Sequence, residues 1–233
     1  MVGGFARVDP VDQGTQHSYE VGRSEPPQLQ LVPRTDIYRD RVKPVIDVVS
    51  GLVLLILLAP VILISAVVVA VSLGAPVIYT QDRIGLGGKR FKLYKLRTMI
   101  PDRRTRSGQH IGPERRQTHK TREDPRVTAI GRRLREVRFD ELPQLWNVVR
   151  GDMSLVGPRP ELPEIVAGYD DWQRRRHVVK PGLTGLWQVS SDNGKPMHEC
   201  TEMDLEYIEK MSFTSDMSIL LRTPAAMFHR RGY

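Results

Sequence analysis

Between Val48 and Gly74 the chain carries no charged residue, and its apolar positions leave no polar face on a helix. This run exceeds the roughly 20 apolar residues that span a bilayer, whereas a soluble helix keeps a polar stripe. The pattern predicts a membrane helix over 45–74. Beyond it, "PVIYTQDRIGLGGKRFKLYKLRTM" reads as two short strands joined by a turn at Gly85–Gly88. Residues 101–126 are charged with few apolar positions and read as a surface loop. Helical spacing then runs from Val127 to Val137, breaks, and restarts at Asp140 with Leu142, Leu145, Trp146 and Val149, before Gly151 ends it. The first 36 residues, rich in Gln, Pro, Gly and Asp without apolar periodicity, read as a disordered tail and lack the order of a secretory signal. The expected divisions are a tail at 1–36, a membrane segment at 37–76, a folded domain at 77–225 and a basic tail at 226–233.

The flanks of the apolar run pose a topology question. Arg34, Arg39, Arg41 and Lys43 precede it, and Arg83, Lys89, Arg90, Lys92, Lys95 and Arg97 follow. Basic flanks stay cytoplasmic, so a plain span leaves one of them on the wrong side. Pro60, near the middle, removes a backbone hydrogen bond and can bend the helix back to the face it entered. Spanning and re-entrant paths both remain open on this pattern. The C-terminal "SILLRTPAAMFHRRGY" equally suits an interfacial helix on anionic lipid or a core-packing helix.

Charge narrows the partner. A formal net charge of +8 points to an anion, whether nucleic acid, acidic lipid or a phosphorylated substrate. No nucleic-acid-binding motif or interleaved aromatic platform is present in the sequence, which argues against nucleic acid. The single cysteine, Cys200, cannot form an internal disulfide and fits a reducing compartment; its neighbour His198 is too little company for a metal site.

The candidate chemistry lies in "LREVRFDELPQLW", where Asp140 and Glu141 stand side by side just after Arg135 and Arg138. One reading is structural: Asp140 caps the helix, Glu141 complements its dipole, and Pro143 sits in the first turn, where a missing N–H costs nothing. The other is chemical. Free N–H groups and arginines bind phosphate, a carboxylate in that field stays ionised as a nucleophile must, and a second carboxylate can hold Mg²⁺.

Four stretches, "RIGLGGKRFKLYKLRTM", "DPRVTAIGRRLREVRFDELPQLWNVVRGDMSLVGPRP", "VKPGLTGLWQVS" and "DLEYIEKMSFTSDMSILLRT", resemble in order the bacterial sugar transferases, the monotopic polyprenyl-phosphate phosphoglycosyl transferases, in their short form. The resemblance covers roughly residues 40–225. It implies an α+β, mainly helical fold: a re-entrant membrane helix with both ends cytoplasmic, and a cytoplasmic catalytic domain with a short β-hairpin and interfacial amphipathic helices. It implies transfer of a sugar phosphate from a nucleoside-diphosphate sugar, usually a UDP-sugar, to polyprenyl (undecaprenyl) phosphate at the inner leaflet of the bacterial cell membrane, the first membrane step of polysaccharide assembly. Asp140 would be the nucleophile, forming a phosphosugar-aspartyl intermediate. Glu141 would orient or bind the required Mg²⁺, and Arg135 and Arg159 would contact phosphate. Self-association is left open.

Two departures stand out. The family's helix breaks at Ser-Pro, where this chain has Ala59-Pro60. Family members commonly continue "WQVSG" with an arginine near the phosphates; here Ser191 and Asp192 occupy those positions. Lys195 could reach the same phosphate, but as a point charge without the arginine fork.

Overall fold

A computed structural model of the chain describes residues 36–100 and 126–229. The expected N-terminal tail, the charged loop and the end of the basic tail therefore fall almost entirely outside the described residues. The described part is mostly helical, with two small two-stranded sheets.

A π-helical turn, Tyr38–Val42, leads into α1 (Lys43–Leu73), 31 residues that remain helical through Pro60. The interruption expected at Pro60 is not seen in the secondary structure. The buried residues of α1 are Lys43, Asp47, Gly51, Ser65 and Val69. At helical spacing these five share one face, and most other side chains point away from the protein. That face is docked at both ends. Near its start, Lys43 pairs with Asp216, Asp47 accepts a hydrogen bond from the Leu155 N–H at 3.0 Å, and Gly51 meets Val148. Near its end, Val69 packs with Leu96 and Leu134, joined by Ala66, Leu73, Val77 and Ile130. Arg97 donates to the carbonyls of Leu73 and, at 3.2 Å, Ala75.

The expected hairpin is present as β1 (Ile78–Ile84) and β2 (Arg90–Leu96), antiparallel, with Arg83 opposite Phe91 and Tyr79 opposite Lys95. α2 (Ala129–Glu136) starts at Thr128, whose hydroxyl accepts the Gly131 N–H at 3.0 Å, as an N-cap should. α3 (Gln144–Val149) ends at Gly151, which turns left-handed at φ 80°.

The second sheet was not legible in the sequence. β3 (Ser154–Val156) and β4 (Gly182–Thr184) pair in parallel, three residues each. Between them lie α4 (Pro163–Ala167) and α5 (Asp171–Arg174); after them come α6 (Thr201–Glu209) and α7 (Phe213–His229). A Cβ on Gly182 would sit 2.1 Å from the Gly157 nitrogen, so glycine is what allows the "VGPRP" and "KPGLTG" backbones to touch. This contact fixes where the loop carrying Arg159 leaves β3.

Candidate active site

The pair Asp140-Glu141 lies in one tight turn, Phe139–Glu141, between α2 and α3. Asp140 is not the helix cap that the sequence suggested. Arg138 holds the position before the turn in left-handed conformation, φ 59°, and Pro143 stands immediately before α3. Proline has no N–H to send back to the Phe139 carbonyl, so Leu142 takes that bond at 3.3 Å, and Glu141 bonds Arg138 at 3.1 Å. The chain tightens and carries both carboxylates inward: Asp140 is 8% and Glu141 9% exposed. A non-glycine residue at positive φ is a strained choice that the surroundings must hold in place. Arg138 is partly held by its own product, reaching Glu141 Oε2 at 3.4 Å.

Glu141 is the hub. Its Oε1 accepts from Arg159 Nη2 at 2.6 Å and from Lys95 Nζ at 3.0 Å. Burial alone would push this carboxyl up, but Arg159, Lys95 and Arg138 outweigh it and hold it well below the usual carboxylate range. Burial pulls the Lys95 ammonium down and Arg159 adds to that, with Glu141 and Asp140 opposing. For Arg159 burial acts in the same sense, but Glu141 and Asp140 prevail and raise it. Both cations thus feel both carboxylates. Three cations against two carboxylates leave the cluster one positive charge in excess, before any anion enters.

Of the residues singled out by sequence, Asp140, Glu141 and Arg159 come together here. Arg135 occupies the last turn of α2, anchored through Nε to the buried Thr98 hydroxyl at 2.8 Å. Lys195 is committed elsewhere: with Asp192 it forms an exposed pair at 2.8 Å across the turn Ser191–Gly194. Lys95 was missed, although a signal existed. On a strand, Phe91, Leu93 and Lys95 share a face, so the lysine stands in phase with the apolar positions and points where Leu93 is buried. Arg83 lies on that face too and reaches the loop of Arg159, donating to the Pro160 carbonyl at 3.2 Å and pairing with Glu161 at 3.5 Å.

The dyad turn also packs on α1, as does α3, and Phe139 and Trp146 stay partly uncovered, at 38% and 47% exposed. An anion-receptive carboxylate pair therefore adjoins a long apolar surface. Over residues 38–230 the chain matches the sequence model of a family described as bacterial sugar transferase. The chain belongs to that family. EpsL of Bacillus subtilis, an uncharacterized sugar transferase, is 39% identical over 181 residues, covering 78% of this chain and 84% of EpsL. A UDP-glucose:undecaprenyl-phosphate glucose-1-phosphate transferase of Caulobacter vibrioides is 39% identical over 204 residues, 82% of this chain and 71% of the relative. The undecaprenyl-phosphate galactose phosphotransferase of Salmonella typhimurium is 35% identical over 196 residues, 82% of this chain but 41% of that longer protein. This sugar transferase is membrane-associated through α1, whose most apolar window is only 11% buried within the protein.

Proposed function

We propose that this sugar transferase is a polyprenyl-phosphate phosphoglycosyl transferase, moving a sugar phosphate from a UDP-sugar to undecaprenyl phosphate at the start of polysaccharide assembly. The names of the Caulobacter and Salmonella relatives support the reaction class. The observation that carries it is the buried dyad of Asp140 and Glu141, ringed by Lys95, Arg138 and Arg159 beside an apolar helix.

An Asp140 carboxylate oxygen attacks the β-phosphorus of the donor. The bond from that phosphorus to the bridging oxygen breaks, and nucleoside monophosphate leaves with the electron pair. A phosphate oxygen of the polyprenyl acceptor then attacks the same phosphorus, the aspartyl–phosphorus bond breaks, and Asp140 returns to carboxylate. Arg159 and Lys95 neutralise charge on the phosphoryl oxygens during both displacements. Arg135 extends the cationic surface towards the nucleotide. Glu141 keeps Arg159 and Lys95 charged and aimed.

Mg²⁺ fits the donor set. It is commonly bound through one or two carboxylates plus substrate phosphates, without a full protein cage. Among the described residues no group of three or more His, Cys, Asp or Glu could form such a cage, and Asp140-Glu141 supplies adjacent carboxylates. Glu141 would hold the ion, exchanging one cationic partner for it, and the ion would supply further neutralisation of diphosphate charge.

Docking of α1 at both ends favours a same-side topology. A helix of 31 residues is roughly 46 Å long, enough to cross a core of about 30 Å. A straight crossing would carry one end away from the catalytic fold, yet Lys43 and Asp47 at the start and Val69 near the end all bear on it. Both basic flanks then stay in the cytoplasm, with the catalytic part.

The test is incubation of purified enzyme with radiolabelled UDP-glucose or UDP-galactose and undecaprenyl phosphate. The expected products are a lipid-linked sugar diphosphate and uridine monophosphate. Release of uridine diphosphate instead would mean transfer of sugar without its phosphate, and absence of any lipid-linked product would leave only a membrane scaffold.

A further inference from the structure

Resting on that reading, we infer that Arg176 is a positioning residue for the phosphate-binding Arg159, acting through the Arg159 carbonyl. The two arginines meet back to front. Arg159 reaches Glu141 with Nη2 at 2.6 Å, while its own carbonyl accepts from Arg176 Nη2 at 2.9 Å. Arg176 is 2% exposed, which makes it the largest fully buried side chain described. Its guanidinium is fixed on three sides: Nη2 also pairs with Asp204 at 2.6 Å, Nη1 donates to the Tyr169 hydroxyl at 2.7 Å, and the plane lies 5.9 Å from the Tyr169 ring centroid.

Such a pair needs a reason. Burying two charges costs desolvation that their attraction often fails to recover, so apolar residues of equal volume commonly give equal or greater stability. An arginine here does what they cannot. Its planar fork carries donors in a fixed geometry, so one side chain can hold a carboxylate from α6, a hydroxyl from the segment after α4 and a backbone carbonyl in the active-site loop. Asp204 supplies the countercharge from the first turn of α6. The clamp has an opposite jaw: Arg83 holds the next carbonyl, that of Pro160, and Ile84 N–H bonds the carbonyl of Glu161 at 3.0 Å. Residues 159–161 are thus gripped at successive carbonyls. The loop that presents Arg159 to Glu141 is fixed without Arg176 approaching the substrate.

The test is a double-mutant cycle on kcat/KM for uridine monophosphate release. Arg176→Lys keeps a positive charge beside Asp204 but loses the fork; Tyr169→Phe removes one of its anchors and is the milder change. In the otherwise wild-type enzyme, Arg176→Lys should lower kcat/KM by about 10²-fold, the scale of a small misplacement of a catalytic group, and Tyr169→Phe by several-fold. In an Arg159→Ala background each should change it by less than about twofold, because the group they position is gone. Equal losses in both backgrounds would mean that Arg176 serves folding alone, and would overturn the assignment. Should Arg176→Lys not fold, Tyr169→Phe decides by the same comparison. A wild-type enzyme that releases no uridine monophosphate would overturn the functional reading, and this assignment with it.

Discussion

At the scale of single residues, the site is a problem of charge held out of water. Glu141 is a buried carboxylate that stays ionised because three cations face it. Its folded-state pKa lies below its ordinary value, so its ionisation stabilises the fold. That contribution is fully present above about 4.5, the ordinary value, and is lost as pH falls through the depressed folded value. Glu141→Gln should therefore melt well below wild type at pH 7, and the gap should narrow as pH drops below 4.5. A gap that stays constant down to pH 3 would contradict the ion cluster. Part of this cluster was legible in the sequence. Asp140, Glu141 and Arg159 stand in motifs that announce phosphate chemistry. The part that Lys95 and Arg138 play was harder to read, since the lysine had to be picked out by its phase on the strand and the left-handed backbone of Arg138 is suggested by no propensity.

At the scale of elements, local patterning was readable wherever the signal was local. The apolar run gave α1, the glycine-rich turn gave the hairpin, the helical spacing from Val127 gave α2 and Gly151 ended α3. Of the two readings of Asp140, the helix cap does not hold, because the missing N–H of Pro143 tightens the turn before the helix starts. The parallel pair β3–β4 was invisible for a different reason: two strands of three residues each, 26 positions apart from Val156 to Gly182, carry no periodicity worth the name. What marks their contact is glycine. Gly182→Ala would place a methyl 2.1 Å from the Gly157 nitrogen and 2.4 Å from the Thr184 carbonyl oxygen, all backbone that cannot swing aside. The expected cost is about 2–3 kcal/mol of stability, the upper range for overpacking, with loss of turnover because the Arg159 loop moves. Thermal unfolding indistinguishable from wild type would contradict the close backbone contact between Gly182 and Gly157.

At the scale of the whole molecule, α1 serves both as membrane anchor and as part of the catalytic fold. Its buried face carries Lys43, Asp47 and Ser65 among apolar neighbours, an arrangement that hydropathy alone cannot reveal. Because both ends dock on one folded unit, single cysteines at Asp40 and Leu86, in a background lacking Cys200, should label from the same side of the membrane. Both positions are exposed, and neither substitution removes a basic flanking charge. Labelling from opposite sides would rule out the same-side topology and the cytoplasmic placement of both flanks.

If Asp140 carries the phosphosugar between donor and acceptor, intact-protein mass spectrometry of enzyme mixed with UDP-sugar alone detects it. Without acceptor, the enzyme should gain the mass of one phosphosugar, mapped by peptide sequencing to Asp140, and release about one equivalent of uridine monophosphate. Asp140→Asn, which differs by one carboxylate oxygen exchanged for an amide, should remain folded, show no added mass and lose about three orders of magnitude or more in turnover. A folded Asp140→Asn enzyme that still gains the phosphosugar, or turns over like wild type, would contradict the account.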